Sequence, residues 1–283
     1  MNSKTKSLLF IWAIVQGFLS HGQKVDSNLV SITWTNLAKG IDYCETDAPI
    51  KSIVNDSKLS ILKIQPQQVE FLLLSASEFD NKPRTASGWA DSFDLNIVIN
   101  AGMYNLSKTL LSKGYLQNYK HKNNPQIHPS YNTMIAFNPK DSLTSNFNIF
   151  DLTCTNWQSI KSDYHCFAQG MRMIDCNGNA LGWNKRNQSC SMLVAAIDEI
   201  GNVYFVFTRS PYTHNEMIHF LLSFPFKIRE TIYMEGGPET SFYINIDNTR
   251  IEKVGSYVST TYANDDNDHF WNLPNVIGMK VKK

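Results

Sequence analysis

Residues 191–197, Ser-Met-Leu-Val-Ala-Ala-Ile, and residues 202–208, Asn-Val-Tyr-Phe-Val-Phe-Thr, are two strongly apolar runs separated only by Asp198-Glu199-Ile200-Gly201. β-Branched and aromatic runs of this length, joined by a short turn ending in Gly, specify a hairpin. That pair commits the chain to antiparallel sheet and makes Asp198 and Glu199 turn residues.

Other strand signals surround it. Residues 59–64 alternate apolar and polar, and residues 69–74 follow after Pro66, which predicts a hairpin or meander near the start. Residues 95–99 read as a buried strand that runs into the small residues of Asn100-Ala101-Gly102, a tight turn at a sheet's end. Residues 113–131, rich in Asn, Lys, His and Pro, read as an exposed loop able to border a site, and residues 133–137 resume a strand. Helical signals are fewer. Thr213-His214-Asn215-Glu216 is a capping box, and Met217, Ile218, Leu221, Leu222 and Phe224 form one apolar face up to Pro225. Many strands with few helices and no obvious linker predict an α+β protein of mixed, strand-rich sheets packed with a few helices in one large domain, residues 23–283.

The compartment restricts the substrates. Lys4 and Lys6 precede an apolar run over residues 8–19, and Ser20 and Gly22 permit cleavage before Gln23, the pattern of a secretory signal peptide over residues 1–22. A secreted or periplasmic location is expected. The run is shorter than the roughly 20 residues that span a bilayer, so no membrane span is predicted. Without the signal, 24 basic residues face 25 acidic ones, which excludes a general nucleic-acid binder. Five cysteines fall in the mature part. Cys154, Cys166, Cys176 and Cys190 cluster and could form two bridges, leaving Cys44 over, with the connectivity open.

The chemistry-bearing stretch is Met234-Glu235-Gly236-Gly237-Pro238-Glu239-Thr240-Ser241-Phe242-Tyr243. An acidic residue leaves an apolar strand directly into paired glycines, which free the backbone for positive φ and for close approach to a ligand. By itself the motif is as consistent with a solvated turn. No histidine among His128, His165 and His214 has metal-ligand spacing, and Ser189 and Ser241 lack a nucleophile elbow. No metal and no cofactor is predicted. Sequons at Asn55, Asn105 and Asn187 carry no argument.

Four motifs now stand in a recognisable order. Asn100-Ala101-Gly102-Met103-Tyr104, Gln169-Gly170 before a short strand, Arg186-Asn187 before the hairpin, and Glu235-Gly236-Gly237 through Ser241-Phe242-Tyr243 resemble those of the phosphodiester glycosidase family. This family includes the enzyme that uncovers mannose 6-phosphate by removing N-acetylglucosamine from a phosphodiester. The bacterial branch is the nearer match. One departure is that the family usually has Asp where this chain has Glu235.

The resemblance implies hydrolysis of the bond between a sugar's anomeric carbon and a phosphate oxygen. A phosphate monoester, with a second pKa of roughly 6, departs without full protonation. It needs positive charge instead, for which Arg172 and Arg209 are the expected cations, with N–H donors from Gly236 and Gly237. Glu235 is the expected catalytic carboxylate toward the sugar, and Glu239 is the nearest second one. Asn100, Asn105, Gln169 and Ser241 are the expected substrate contacts. Two functions follow from different classes. One is an exported glycosidase acting on sugar-phosphodiesters, and the other is a catalytically weak protein that binds a surface glycan or sugar phosphate on the same scaffold.

Overall fold

A computed structural model describes residues 32–105, 108–182 and 188–282. The signal segment and Arg186-Asn187 lie outside the described residues.

The chain opens as a meander of β1 (Thr35–Ala38), β2 (Ile41–Asp47) and β3 (Lys58–Ile64). A 3-10 turn at Pro66–Gln68 then carries it into β4 (Val69–Ser75). The expected pairing of residues 59–64 with 69–74 is not made. β3 pairs with β2 and β14, whereas β4 pairs with β18 in a second sheet. Both strands are apolar enough to be interior, so the turn serves as a crossing between layers.

Helix α1 (Ala86–Phe93), capped by Thr85, precedes β5 (Ile97–Asn100), and a small ribbon β6 (Tyr104–Asn105) and β7 (Lys108–Ser112) follows. Residues 113–131 correct the loop reading, since they contain β8 (Leu116–Asn118) and β9 (His121–Asn124) and bury Tyr115, Leu116 and Tyr131. Next come β10 (Thr133–Pro139), β11 (Phe147–Asp151), α2 (Trp157–Asp163) and β12 (Tyr164–Arg172). The predicted hairpin is β13 (Ser189–Asp198) with β14 (Val203–Thr213), and the predicted capping box starts α3 (His214–Ser223). The chain closes with β15 (Ile228–Gly236), β16 (Ser241–Ile246), β17 (Thr249–Val254) and β18 (Asn275–Val281).

Every pairing among these strands is antiparallel. The large sheet runs β1-β2-β3-β14-β13-β15-β12-β10-β11, with β8 added on β12 and β9 on β8, and the small sheet runs β17-β16-β5-β18-β4. The fold is thus largely β, with three α-helices among the described residues. One core fills the space between the sheets, with Leu193, Ala195 and Ile197 of β13 facing Ile97, Ile99, Phe242 and Ile277. The outer face of the large sheet holds Met192, Val194 and Ala196 against Met217, Ile218 and Leu221 of α3, and α1 covers the small sheet's outer face through Trp89 and Ala90. Both faces of β13 are therefore dry, which is why its sequence is a continuous apolar run with no alternation.

One disulfide joins Cys154 to Cys176, while Cys44, Cys166 and Cys190 are buried free thiols. Of the two bridges the cluster permits, one forms. Cys166 lies in β12 within the inter-sheet core and Cys190 in β13 against Tyr233, so the fold holds those two thiols apart. The bridge closes a separation of 22 residues, from which chain entropy predicts a contribution of about 3 kcal/mol. Urea unfolding of Cys154→Ser/Cys176→Ser should show that loss, and an unchanged midpoint would rule the contribution out.

Candidate functional site

The site forms where the chain crosses between the sheets after β15. Leu193 pairs with Glu235 and Val194 with Tyr233, so Met234 is a bulge in β15 immediately before the carboxylate. A bulge bends a strand and re-aims the next side chain. Glu235 ends up 8% exposed, its Oε1 accepting the Gly236 N–H at 3.1 Å.

The paired glycines do different work. Gly236 has extended backbone that any residue adopts, but a Cβ there would overlap the Tyr233 hydroxyl and lie 3.0 Å from Cys190 Sγ. Gly237 has φ +77°, and a Cβ there would strike Val258 and lie 3.3 Å from Glu239 Oε2. Glu239 thus folds back over Gly237 from a 3-10 turn, Gly237–Glu239, and the chain enters β16 in the other sheet.

Asn100, at the end of β5, holds this crossing from the side. Its Nδ2 donates to the Glu239 carbonyl at 2.9 Å and its Oδ1 accepts the Ser241 N–H at 2.8 Å. Ser241 is buried, its hydroxyl donating to the Glu239 carbonyl at 3.3 Å. Both side chains are spent on shaping the Glu239 turn.

Gln169 is placed behind the site, in the interior of β12 and not in a turn. The edge of β12 is shared, with β8 pairing at Cys166, Phe167 and Ala168 and β15 pairing at Met171 and Arg172. Gln169 sits where the partner changes. Its Oε1 accepts the N–H of Tyr115 at 2.9 Å and of His128 at 2.8 Å, and its Nε2 donates to the carbonyls of Tyr131 at 2.6 Å and His128 at 3.1 Å. The expectation of a Gln169 side chain on substrate is corrected on this point, because its amide is already committed.

Two further expected residues lie in ion pairs. Arg172 Nη1 sits 2.6 Å from Asp151 Oδ2 and also donates to Thr153, beside the disulfide. Burial opposes ionisation of Asp151, yet hydrogen bonds from Thr153, Arg172 and Cys176 hold its carboxyl below the usual range. Arg209 pairs with Asp265 at 2.9 Å and donates to the carbonyls of Val254 and Asp265. It lines a separate cleft of about 150 Å³ with Lys58 and Lys253. Asn105 ends the short strand β6, one residue beyond Tyr104. The one grouping of metal-type ligands among the described residues, Asp151 with Cys154 and Cys176, has its two sulfurs joined.

Electrostatics single out the crossing. Burial above all, then the Glu239 charge, raises Glu235 to about 8, against the pull of the Gly236 N–H and of Lys113. Glu239 is also raised, chiefly by burial, with Lys113 acting the other way. Tyr104 is raised by burial and by both carboxylates, and Tyr131 by burial and Glu235. Burial, with a smaller push from Glu235, lifts the Cys190 thiol to about 12. At neutral pH Glu235 holds its proton. Two carboxyl groups, phenols and one lysine around a bend of glycine backbone make a site able to neutralise, donate and accept protons.

Tyr104, Tyr131, Tyr233, Cys190 and Lys113 were not expected here. Tyr104 stood inside a quoted motif and Lys113 opened the segment read as bordering a site, but no spacing ties either to Glu235. The His128 ring stacks on Tyr131 at 3.8 Å, and Tyr131 Oη approaches Met103 Sδ at 3.9 Å, which packs this segment against the turn after β5.

No protein-family model and no curated protein matches the chain. Solved structures do. A hypothetical protein from Synechocystis superposes with a TM-score of 0.58 at 12% identity over 89% of this chain, which spans only 64% of that protein. The catalytic domain of zebrafish N-acetylglucosamine-1-phosphodiester alpha-N-acetylglucosaminidase, auto-inhibited by its pro-peptide, superposes with a TM-score of 0.55 at 9% identity over 89% of this chain and 88% of that one. At such identities the likeness is one of fold, and the chain shares that fold with a glycosidase catalytic domain.

Proposed function

We propose that the protein is an exported hydrolase that cleaves the bond between a sugar's anomeric carbon and a phosphodiester oxygen. The observation that carries the reading is the pair of buried Glu235 and half-buried Glu239 on one glycine-rich crossing, Glu235 holding its proton at neutral pH. The shared fold with a phosphodiester glycosidase catalytic domain supports it.

Two carboxyl groups on one crossing can divide the acid and the base roles between them. Protonated Glu235 removes one negative charge that would repel an anionic substrate and hydrogen-bonds the departing oxygen. As the C–O bond breaks, its electron pair stays on the phosphate oxygen and positive charge grows at the anomeric carbon. Glu239, in its carboxylate form, stabilises that charge and takes the proton of the water whose oxygen bonds to the carbon. Asn100 and Ser241 act as positioning residues, since they shape the Glu239 turn. Arg172 and Arg209 drop out of the catalytic set, because Asp151 and Asp265 hold them.

The product decides the matter. A synthetic sugar-1-phosphodiester should yield free sugar and the intact phosphate monoester. Sugar 1-phosphate as product would mean attack at phosphorus, and binding without turnover would favour the glycan-binding reading.

A further inference from the structure

An anionic substrate at a two-carboxylate site needs a cation, and both expected arginines are engaged elsewhere. We infer that Lys113 is that cation and binds the phosphate of the substrate beside the Glu235 and Glu239 crossing. This rests on the proposed reaction and names the group that recognises the leaving group.

The placement follows from the backbone. Lys113 N–H donates to the Met103 carbonyl at 2.9 Å, which ties it to the same turn that continues from Asn100, the residue gripping Glu239. The preceding Ser112 pairs with Tyr104, whose phenol lies within the field of both carboxylates. On the other side Asn124 Nδ2 donates to the carbonyls of Ser112 at 2.9 Å and Lys113 at 3.4 Å. The following Gly114 lies so close to Gln169 that a Cβ would come within 2.7 Å of its carbonyl oxygen. The main chain of Lys113 is thereby pinned on three sides while the residue stays exposed. Its charge favours the ionised forms of both Glu235 and Glu239. A positive charge there offsets negative charge on the two carboxyl groups, which lowers the repulsion an anionic substrate meets. A flexible ammonium also suits a phosphate that gains charge as it leaves.

Methyl phosphate binding by calorimetry tests the inference apart from turnover, in wild type, Lys113→Gln and Lys113→Arg. A charge-assisted contact predicts a roughly 10- to 100-fold weaker Kd in Lys113→Gln, restored toward wild type in Lys113→Arg. Activity then gives a second reading, in which kcat/KM for the sugar-1-phosphodiester should fall by a similar factor in Lys113→Gln. Any turnover of a glycoside of the same sugar with a neutral leaving group should fall by a smaller factor, because only the effect of Lys113 on the two carboxyl groups is lost there and no bound anion. Equal methyl phosphate affinity in Lys113→Gln and wild type, or equal losses on both substrates, would overturn the role of Lys113. Lysine-dependent methyl phosphate binding in a protein that releases no sugar would instead sink the reaction and keep the anion site.

Discussion

Glu235→Gln is expected to reduce free-sugar release by about 10²- to 10⁴-fold, the range for losing a positioned proton-carrying group, while leaving the fold intact. The amide keeps the volume and the oxygen that accepts the Gly236 N–H, but it carries no exchangeable acid proton. In the wild type, activity should decline as pH rises through about 8, where Glu235 ionises and confronts Glu239 and the anionic substrate together. Stability has a matching signature. The folded carboxyl titrates at about 8 against an ordinary 4.5, so between these values the folded state holds a proton that the unfolded chain has released. The Glu235 contribution to stability therefore falls as pH rises across that window, by up to about 1.4 kcal/mol per pH unit, and is constant on either side. In Glu235→Gln this slope should become shallower by the Glu235 contribution, leaving that of the other raised carboxyl groups, Glu239 and Glu230. Urea unfolding at several pH values from 4 to 9 checks it, and an active variant or an unchanged slope would remove Glu235 from its assigned role.

Gln169→Ala is expected to have the largest effect on stability, about 3–6 kcal/mol. The side chain is 2% exposed and serves four backbone groups, those of Tyr115, Tyr131 and both polar groups of His128. Each buried group left unpaired costs about 1–3 kcal/mol, less what entering water restores. The damage should be local as well as global. Tyr115 follows Lys113 by two residues and Tyr131 lies in the field of Glu235, so the loosened segment carries two parts of the site. Misplacement of about 1 Å can cost roughly 10²-fold in rate, and the surviving folded variant should lose activity on that scale. Gln169→Glu separates the two halves of the amide. Its carboxylate still accepts from Tyr115 and His128 but turns a second, charged oxygen onto the carbonyls of Tyr131 and His128, so a loss no smaller than in Gln169→Ala is expected. A midpoint within about 0.5 kcal/mol of wild type for Gln169→Ala would show that the four bonds do not hold this segment.

Much of the local structure could be read from residue patterns. The hairpin of β13 and β14 and the capping box of α3 were legible because each depends on neighbours in the chain: apolar runs around a short turn, and Thr213 against Glu216 three residues on. The pairing of β3 was not legible. Residues 59–64 and 69–74 look like consecutive partners, yet Pro66 begins a turn that sends them into different sheets, and their real partners are β14 and β18, far along the chain. The same limitation misplaced the arginines. Arg172 stands near Gln169 in sequence, but its guanidinium reaches Asp151 at the end of β11.

By itself the sequence determined that the chain is strand-rich, that an acidic residue enters paired glycines after a buried strand, and which short motifs accompany it. These are properties of backbone freedom and side-chain pattern within a few residues. Only the tertiary structure decided what surrounds Glu235. The crossing between sheets puts Glu239, Tyr104, Tyr131, Lys113 and Cys190 around it, with Tyr104, Lys113 and Tyr131 drawn from more than a hundred residues away in the chain. Burial and the neighbouring charge set the protonation of Glu235, and both arise only when the two sheets close over their common core.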